Sequence, residues 1–298
     1  MATISIGEEG SVQGSSALSA GARAETTTGT ANTTAQLSSD GIDLGPNVGQ
    51  GLTPDTPSNG TAIKVGTIGN VSGSSLIGSL NPTTNRRETP ISAETTTGDA
   101  SASADFAAAG IAKRGLVGAT SDAGPTSDGR SLIQAGPLGG SISGTSEAGG
   151  QTSSLSVTGN TAASTMARLD GIDGSGGLDL QAGLVGNNLV KGTASGTFDT
   201  RSITVNGDAK ALGDATAFGI LGDGLGKILL SGNLEAMAAL TNTVMAMTTT
   251  GNASATANSH VVGLQGYDVQ ILRSGTLTAS ALSNTSSFAS TVNGSVNV

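Results

Sequence analysis

The chain has no cysteine and no tryptophan, and in 298 residues it carries one tyrosine, one histidine and 7 prolines. Without cysteine there is no disulfide framework and no thiol chemistry. With His260 as the sole imidazole, a transition-metal site of the His/Cys type is excluded. A catalytic histidine would also need titratable partners, which the alternating segment around His260 does not offer. His260 is read as an ordinary strand residue. Charged residues are 12% of the chain and aromatics 2%, against about 25% charged in an ordinary domain. The net charge of −9 and a pI near 4.4 leave no basic patch for phosphates, so no nucleic-acid partner is expected. No apolar run reaches the length of about 18 residues that a membrane-spanning helix needs, so no membrane span is expected. The first seven residues, MATISIG, lack the basic and apolar regions of a signal peptide. Any export is expected to use a route without a recognisable N-terminal signal. Neither a Gly-x-Ser-x-Gly elbow in a strand-turn-helix setting nor a phosphate loop is present. No catalytic residue, no enzymatic activity and no organic cofactor are expected.

What the chain does have is 47 glycines and many alanines. An alanine side chain adds about 0.8 kcal/mol of burial, so the core must be thin. Stability then falls to hydrogen-bond ladders and repetition. Low charge, few prolines and a mean hydropathy of +0.04 set the chain apart from disordered sequences.

An internal repeat organises it. A Thr-rich segment runs into a marker glycine and then into alternating small residues. The copies are TTTGTANTTA from Thr26, TTTGDASASA from Thr95, SVTGNTAAST from Ser156, TVNGDAKALG from Thr204, TTTGNASATA from Thr248 and TVNGSVNV from Thr291. The markers are Gly29, Gly98, Gly159, Gly207, Gly251 and Gly294. Twelve residues after each of the first five comes a second glycine followed by Ile or Leu: Gly41, Gly110, Gly171, Gly219 and Gly263. A further motif precedes each marker, as in ILLSGNLEAMA from Ile228 and its near-copy ILRSGTLTASA from Ile271. The repeats span approximately 1–62, 63–131, 132–182, 183–222, 223–266 and 267–298, the last truncated, within one repetitive domain. The Pro- and Gly-rich pieces 46–59 and 115–130 read as exposed loop insertions.

After each marker the small apolar residues fall at every second position, for example Ala100, Ala102, Ala104, Phe106 and Ala108. Period two places them on one face of a strand. Residues 233–247 could pass for an amphipathic helix, but the aligned copy from Leu277 is rich in Ser and Thr, which are weaker helix formers. Both are read as strands. The expected fold is all-β: six imperfect repeats in a flattened β-solenoid or a stacked β-hairpin sandwich, with a thin Ala/Gly/Val core and glycines supplying positive φ at the corners. An antiparallel meander fits the same pattern.

Acidic glycine-rich turns, such as DGIDGSGGLD from Asp170, resemble the Gly/Asp turns of calcium-binding β-rolls. Asp170, Asp173 and Asp179 are the candidate calcium ligands. The regular nonapeptide repetition of those proteins is missing, and ordinary turn chemistry competes. The Thr triplets suggest, at lower rank, an ice-binding β-solenoid.

The repeat as a whole resembles the β-strand-repeat fibre, sheath and adhesin proteins of microbial surfaces. That resemblance covers the full chain through unspecific motifs. It implies an extracellular structural role, with other copies, cell-surface polysaccharide or other cells as partners, and it transfers no functional residue. Solenoids normally block their ends with polar caps, whereas both ends here read as strands. Ile4, Ile6, Val292, Val296 and Val298 are therefore the expected assembly residues. Head-to-tail growth into a filament, with a terminal strand donated to the next subunit, is the expected function. A non-filamentous adhesin or a trimeric phage-type fibre is the alternative.

Overall fold

The computed structural model describes residues 3–6, 9–44, 62–113, 131–136, 138–183, 185–186 and 188–298. The insertions at 46–59 and 115–130 lie outside the described residues. Every regular element among the described residues is a β-strand.

The chain winds between two sheets. A first strand, β1 (Thr3–Ile6), lies at the edge of sheet A. The first coil then runs through β2 (Glu9–Leu18) and β3 (Ala22–Thr28) in sheet B and crosses to β4 (Ala31–Asp43) and β5 (Ala62–Val65) in sheet A. The second coil has β6 (Ile68–Ile77), a small hairpin of β7 (Ser79–Asn81) and β8 (Arg86–Glu88), and β9 (Pro90–Thr97), followed by β10 (Ala100–Ala112) and β11 (Ser131–Ala135). In the third, β12 (Ser141–Thr158) leads to β13 (Thr161–Gly174) and β14 (Leu178–Ala182). The fourth joins β15 (Asn188–Asn206) to β16 (Ala209–Leu230), and the fifth joins β17 (Gly232–Met247) to β18 (Ala253–Ile271). The sixth carries β19 (Leu277–Ser290) and β20 (Val296–Asn297).

Each strand pairs in parallel with its counterpart one coil away, and β7–β8 is the only antiparallel pair among the described residues. The fold is thus a parallel β-solenoid, and the hairpin sandwich and meander are not what forms. The segment that could pass for a helix is β17. Four of the five expected repeat boundaries fall inside strands: 62/63 in β5, 131/132 in β11, 222/223 in β16 and 266/267 in β18. In β16 the chain bulges between Leu221 and Gly226 instead of turning. Gly222 and Gly226 there leave room for the ring of Tyr267.

The repeat motif is the corner between the sheets. All six marker glycines have positive φ, from 102° at Gly29 to 157° at Gly294, a region that side chains disfavour. A Cβ at Gly207 would lie 2.2 Å from the Gly159 carbonyl oxygen one coil away. Three residues before each marker stands Thr or Ser. The hydroxyl of Thr204 donates to the Gly159 carbonyl at 2.8 Å, as Ser156 does to Gly98, Thr248 to Gly207 and Thr291 to Gly251. The residue after the marker completes the stack. Asp99 accepts the Asn160 N–H, Asn160 accepts the Asp208 N–H and Asp208 accepts the Asn252 N–H. Each corner therefore binds the coil before it and the coil after it, and this is why the motif recurs.

The second set of glycines does something else. Gly41, Gly110, Gly171, Gly219 and Gly263 sit inside strands and not at corners. The first four face a glycine row in sheet B (Gly14, Gly73, Gly144 and Gly192), and Gly263 meets Ala236 and Ser280 instead. A Cβ on Gly73 would lie 2.0 Å from the Gly110 carbonyl, one on Gly144 2.0 Å from that of Gly171, and one on Gly192 2.1 Å from that of Gly219. At this row the two sheets meet backbone to backbone, far inside the usual ~10 Å separation of packed sheets. The pinch divides the interior. On one side Val71, Ile111, Ile142, Ile172, Val190, Ile220 and Leu234 form one fully buried cluster. On the other, Phe106 and Phe198 meet at 5.3 Å between ring centroids, among Leu37, Ile77, Leu169 and Leu240. Beyond them the core narrows to rows of alanine.

Candidate functional site

Three features could carry function: the acidic turns, the surface beside the hairpin, and the two open ends of the coil stack. Asp170 and Asp173 are buried and share one guanidinium. The Arg168 Nε–H donates to Asp170 Oδ2 at 2.9 Å, and an Arg168 terminal N–H donates to Asp173 Oδ2 at 3.0 Å. Burial opposes the charge on Arg168, but the two carboxylates outweigh it and raise its pKa above the ordinary value. Asp173 Oδ1 also accepts the Ser175 N–H, in ordinary turn fashion. Asp179 stands apart, accepting the Lys227 N–H at 3.0 Å. Among the described residues no group of three or more His, Asp or Glu side chains converges as a metal site.

Beside the β7–β8 hairpin an open cleft of about 600 Å³ is lined by Arg86, Arg87, Glu147, Ser195, Thr197 and Leu282. Arg87 and Glu147 pair with each other at 3.3 Å, and Arg87 also donates to the Gly78 carbonyl. His260 lies on the exposed face of sheet A, edge-on to Phe218 at 5.5 Å between centroids. The Thr triplets do not form a ranked outer face. The first Thr of the second and fifth copies, Thr95 and Thr248, is mostly buried and bonded at its corner.

The open ends are different in kind. Val12, Val71, Ile142, Val190, Leu234 and Leu277 occupy one inward row across the six coils. The four inner members are 0% exposed and Leu277 is 49% exposed. Val296 continues the row of Ala31, Ala100, Thr161, Ala209 and Ala253 and is 51% exposed; Val298, two residues on, is also exposed. Val292 belongs instead to the outward row that includes Val157 and Val205. At the opposite end, Ile4 pairs with Ile63 and Ile6 with Val65 at the edge of sheet A. The expected assembly residues are thus split between the two end faces, with β1 on one and β20 on the other.

Sequence reasoning missed the larger part of the last face. Half-buried Leu264, Tyr267, Val269 and Ile271 line its sheet-A side, and exposed Leu277 lies on its sheet-B side. The signal was available in the near-identity of ILLSGNL and ILRSGTL, which places Ile271 and Leu277 at the core positions of the preceding coil. Compared with models of protein families, with curated proteins and with solved structures, the chain finds no match in any of the three.

Proposed function

We propose that this chain is a non-enzymatic structural protein that stacks head to tail into an extracellular or cell-surface filament. Its first partner is another copy of itself. Cell-surface polysaccharide and neighbouring cells are what the finished filament would meet.

One observation carries this reading. Among the described residues both end coils show unpaired strand edges and uncovered core rows, and the two faces are unlike each other. In a parallel solenoid the first edge is the natural continuation of the last, because strand direction and side-chain alternation already agree. A contact between two different faces repeats without closing when no rotation returns it to its start, and the product is an open fibre. Exposed apolar rows such as Leu277 and Val296 give such stacking a hydrophobic driving force.

Sedimentation across a concentration series, with negative-stain microscopy of the same samples, tests the proposal. The expected result is fibres that lengthen with concentration. A particle that stays monomeric throughout, or growth that halts at a trimer, overturns it, and the trimer would favour a closed phage-type fibre.

A further inference from the structure

We infer that the cleft beside the β7–β8 hairpin binds an acidic saccharide, with Arg86 taking its carboxylate and the polar rows of sheet B taking its sugar oxygens. The site gives the polysaccharide partner of the filament reading a place and a chemistry. It lies on the side of the coil stack and does not depend on assembly.

The hairpin is a fixed wall. Gly149 lies under it, and a Cβ there would collide with the Arg87 carbonyl oxygen. Arg87 donates to the Gly78 carbonyl at 2.9 Å and pairs with Glu147 at 3.3 Å. The Asn81 amide and the Thr84 hydroxyl both donate to Glu88 within the hairpin. These bonds occupy both carboxylates and one of the two guanidinium groups. Arg86 is exposed, lines the cleft, and has no side-chain partner among the described residues. The cleft keeps one uncommitted cation, on a chain whose net charge is −9.

The floor is two outward rows that repeat coil by coil. Ser195, Ala239 and Leu282 continue the row of Glu147, and Thr197, Thr241 and Asn284 continue that of Gly149. At about 4.8 Å per coil the rows run for about 14 Å along the stack. The side chains of Ser195, Thr197, Thr241 and Asn284 make no hydrogen bond among the described residues. Their donors and acceptors are free for a ligand.

This set selects a ligand class. A guanidinium takes a carboxylate through two parallel hydrogen bonds. Hydroxyls and an amide donate and accept alike, which suits a polyhydroxylated chain. No aromatic ring lines the cleft, so a nucleobase has nothing to stack on. Leu282 is the one large apolar side chain of the two rows, which is too little to anchor a lipid or an apolar helix. An acidic peptide would offer the same charge. Yet β15 and β17 are paired on both sides, so neither offers a strand edge to a peptide backbone.

Titration calorimetry on the unassembled chain tests the site, with a hyaluronan tetrasaccharide and sialyllactose as probes. Binding of either is expected, and reducing its carboxylates to alcohols should weaken it roughly tenfold or more. Arg86→Gln should show the same loss at an unchanged thermal midpoint, and should bind the acid and alcohol forms alike. Thr241→Val should weaken binding roughly threefold. Arg23→Gln, which alters a cation paired with Glu25 and Glu94 outside the cleft, should change nothing. No binding of either probe, full binding by Arg86→Gln, an equal loss in Arg23→Gln, or tighter binding of a glutamate-rich peptide overturns the site. Sedimentation of the same samples reads assembly separately, so the site and the filament can fail independently.

Discussion

Leu234 and Leu277 are the same residue in the same row of adjacent coils, yet Leu234 is 0% exposed and Leu277 49% exposed. The local sequence is nearly identical, so the difference comes from neighbours. A coil inside the stack has both faces covered and a coil at the end has one. Burial here is a property of position in the stack, as repeat architectures require. Substitutions in the middle therefore report on the fold, and their counterparts at the ends report on what the fold binds.

The largest contrast is expected at the glycine pinch. In Gly219→Val the first added carbon would stand 2.5 Å from the Met237 backbone nitrogen and 2.6 Å from the Gly263 carbonyl, with no flexible side chain to yield. The two sheets must part, and the loss should exceed about 4 kcal/mol, at the extreme of single substitutions. Retention of the wild-type thermal midpoint would show that the sheets do not touch there.

Next come the paired leucines. Leu234→Ala opens a cavity between covered coils and should cost about 2–5 kcal/mol. Leu277→Ala removes a side chain already half in water and should cost the isolated protein about 1 kcal/mol. Urea denaturation of both variants measures the difference. Under assembling conditions the Leu277 variant should need a higher concentration to form fibres, and equal losses in the monomer would remove the distinction between middle and end.

The corner threonines give a smaller version of the same comparison. Thr204→Val leaves the Gly159 carbonyl without its hydroxyl donor and should cost about 1–3 kcal/mol. Thr26→Val has no coil to release and should change monomer stability by less than about 0.5 kcal/mol. Equal losses in the two variants would mean that the hydroxyl serves only its own turn.

The residue pattern made the coil legible and left the winding illegible. Period-two alanines and six equally built corners identify strands and repeats from composition alone. Whether successive strands run parallel is a tertiary fact, since a hairpin stack buries the same alternating face. The two glycine classes also looked alike as letters. One is needed for φ and the other for the missing Cβ, and only the partner strand tells them apart. At the ends, Ile4, Ile6, Val296 and Val298 could be picked out because they alternate near bare strands. The row that runs from Ile4 through Ile63, Ile133, Leu180 and Ile228 to Val269 could not, because it passes through coils of unequal length. The acidic turn at Asp170 was legible as a turn, but not the guanidinium of Arg168 that sits between its carboxylates.

The smallest expected effect probes how dry the covered coils are. Lys113 follows β10 and is 1% exposed. Burial lowers its pKa below the ordinary 10.5, and Asp43 restores only part of the loss. The folded pKa is thus below the unfolded one. The penalty for holding the charged lysine is fully present at neutral pH. As pH rises through the folded value towards 10.5, the unfolded chain keeps its proton longer than the folded chain does, so stability should climb across that window. Lys113→Met retains the backbone bonds that Lys113 makes to Asp173 and Gly176 and removes the ionisable group. Denaturation midpoints measured from pH 8 upward should therefore rise more steeply in the natural protein than in the variant. Parallel curves would mean that water reaches the ammonium group, and that the second coil is no drier than the open ends.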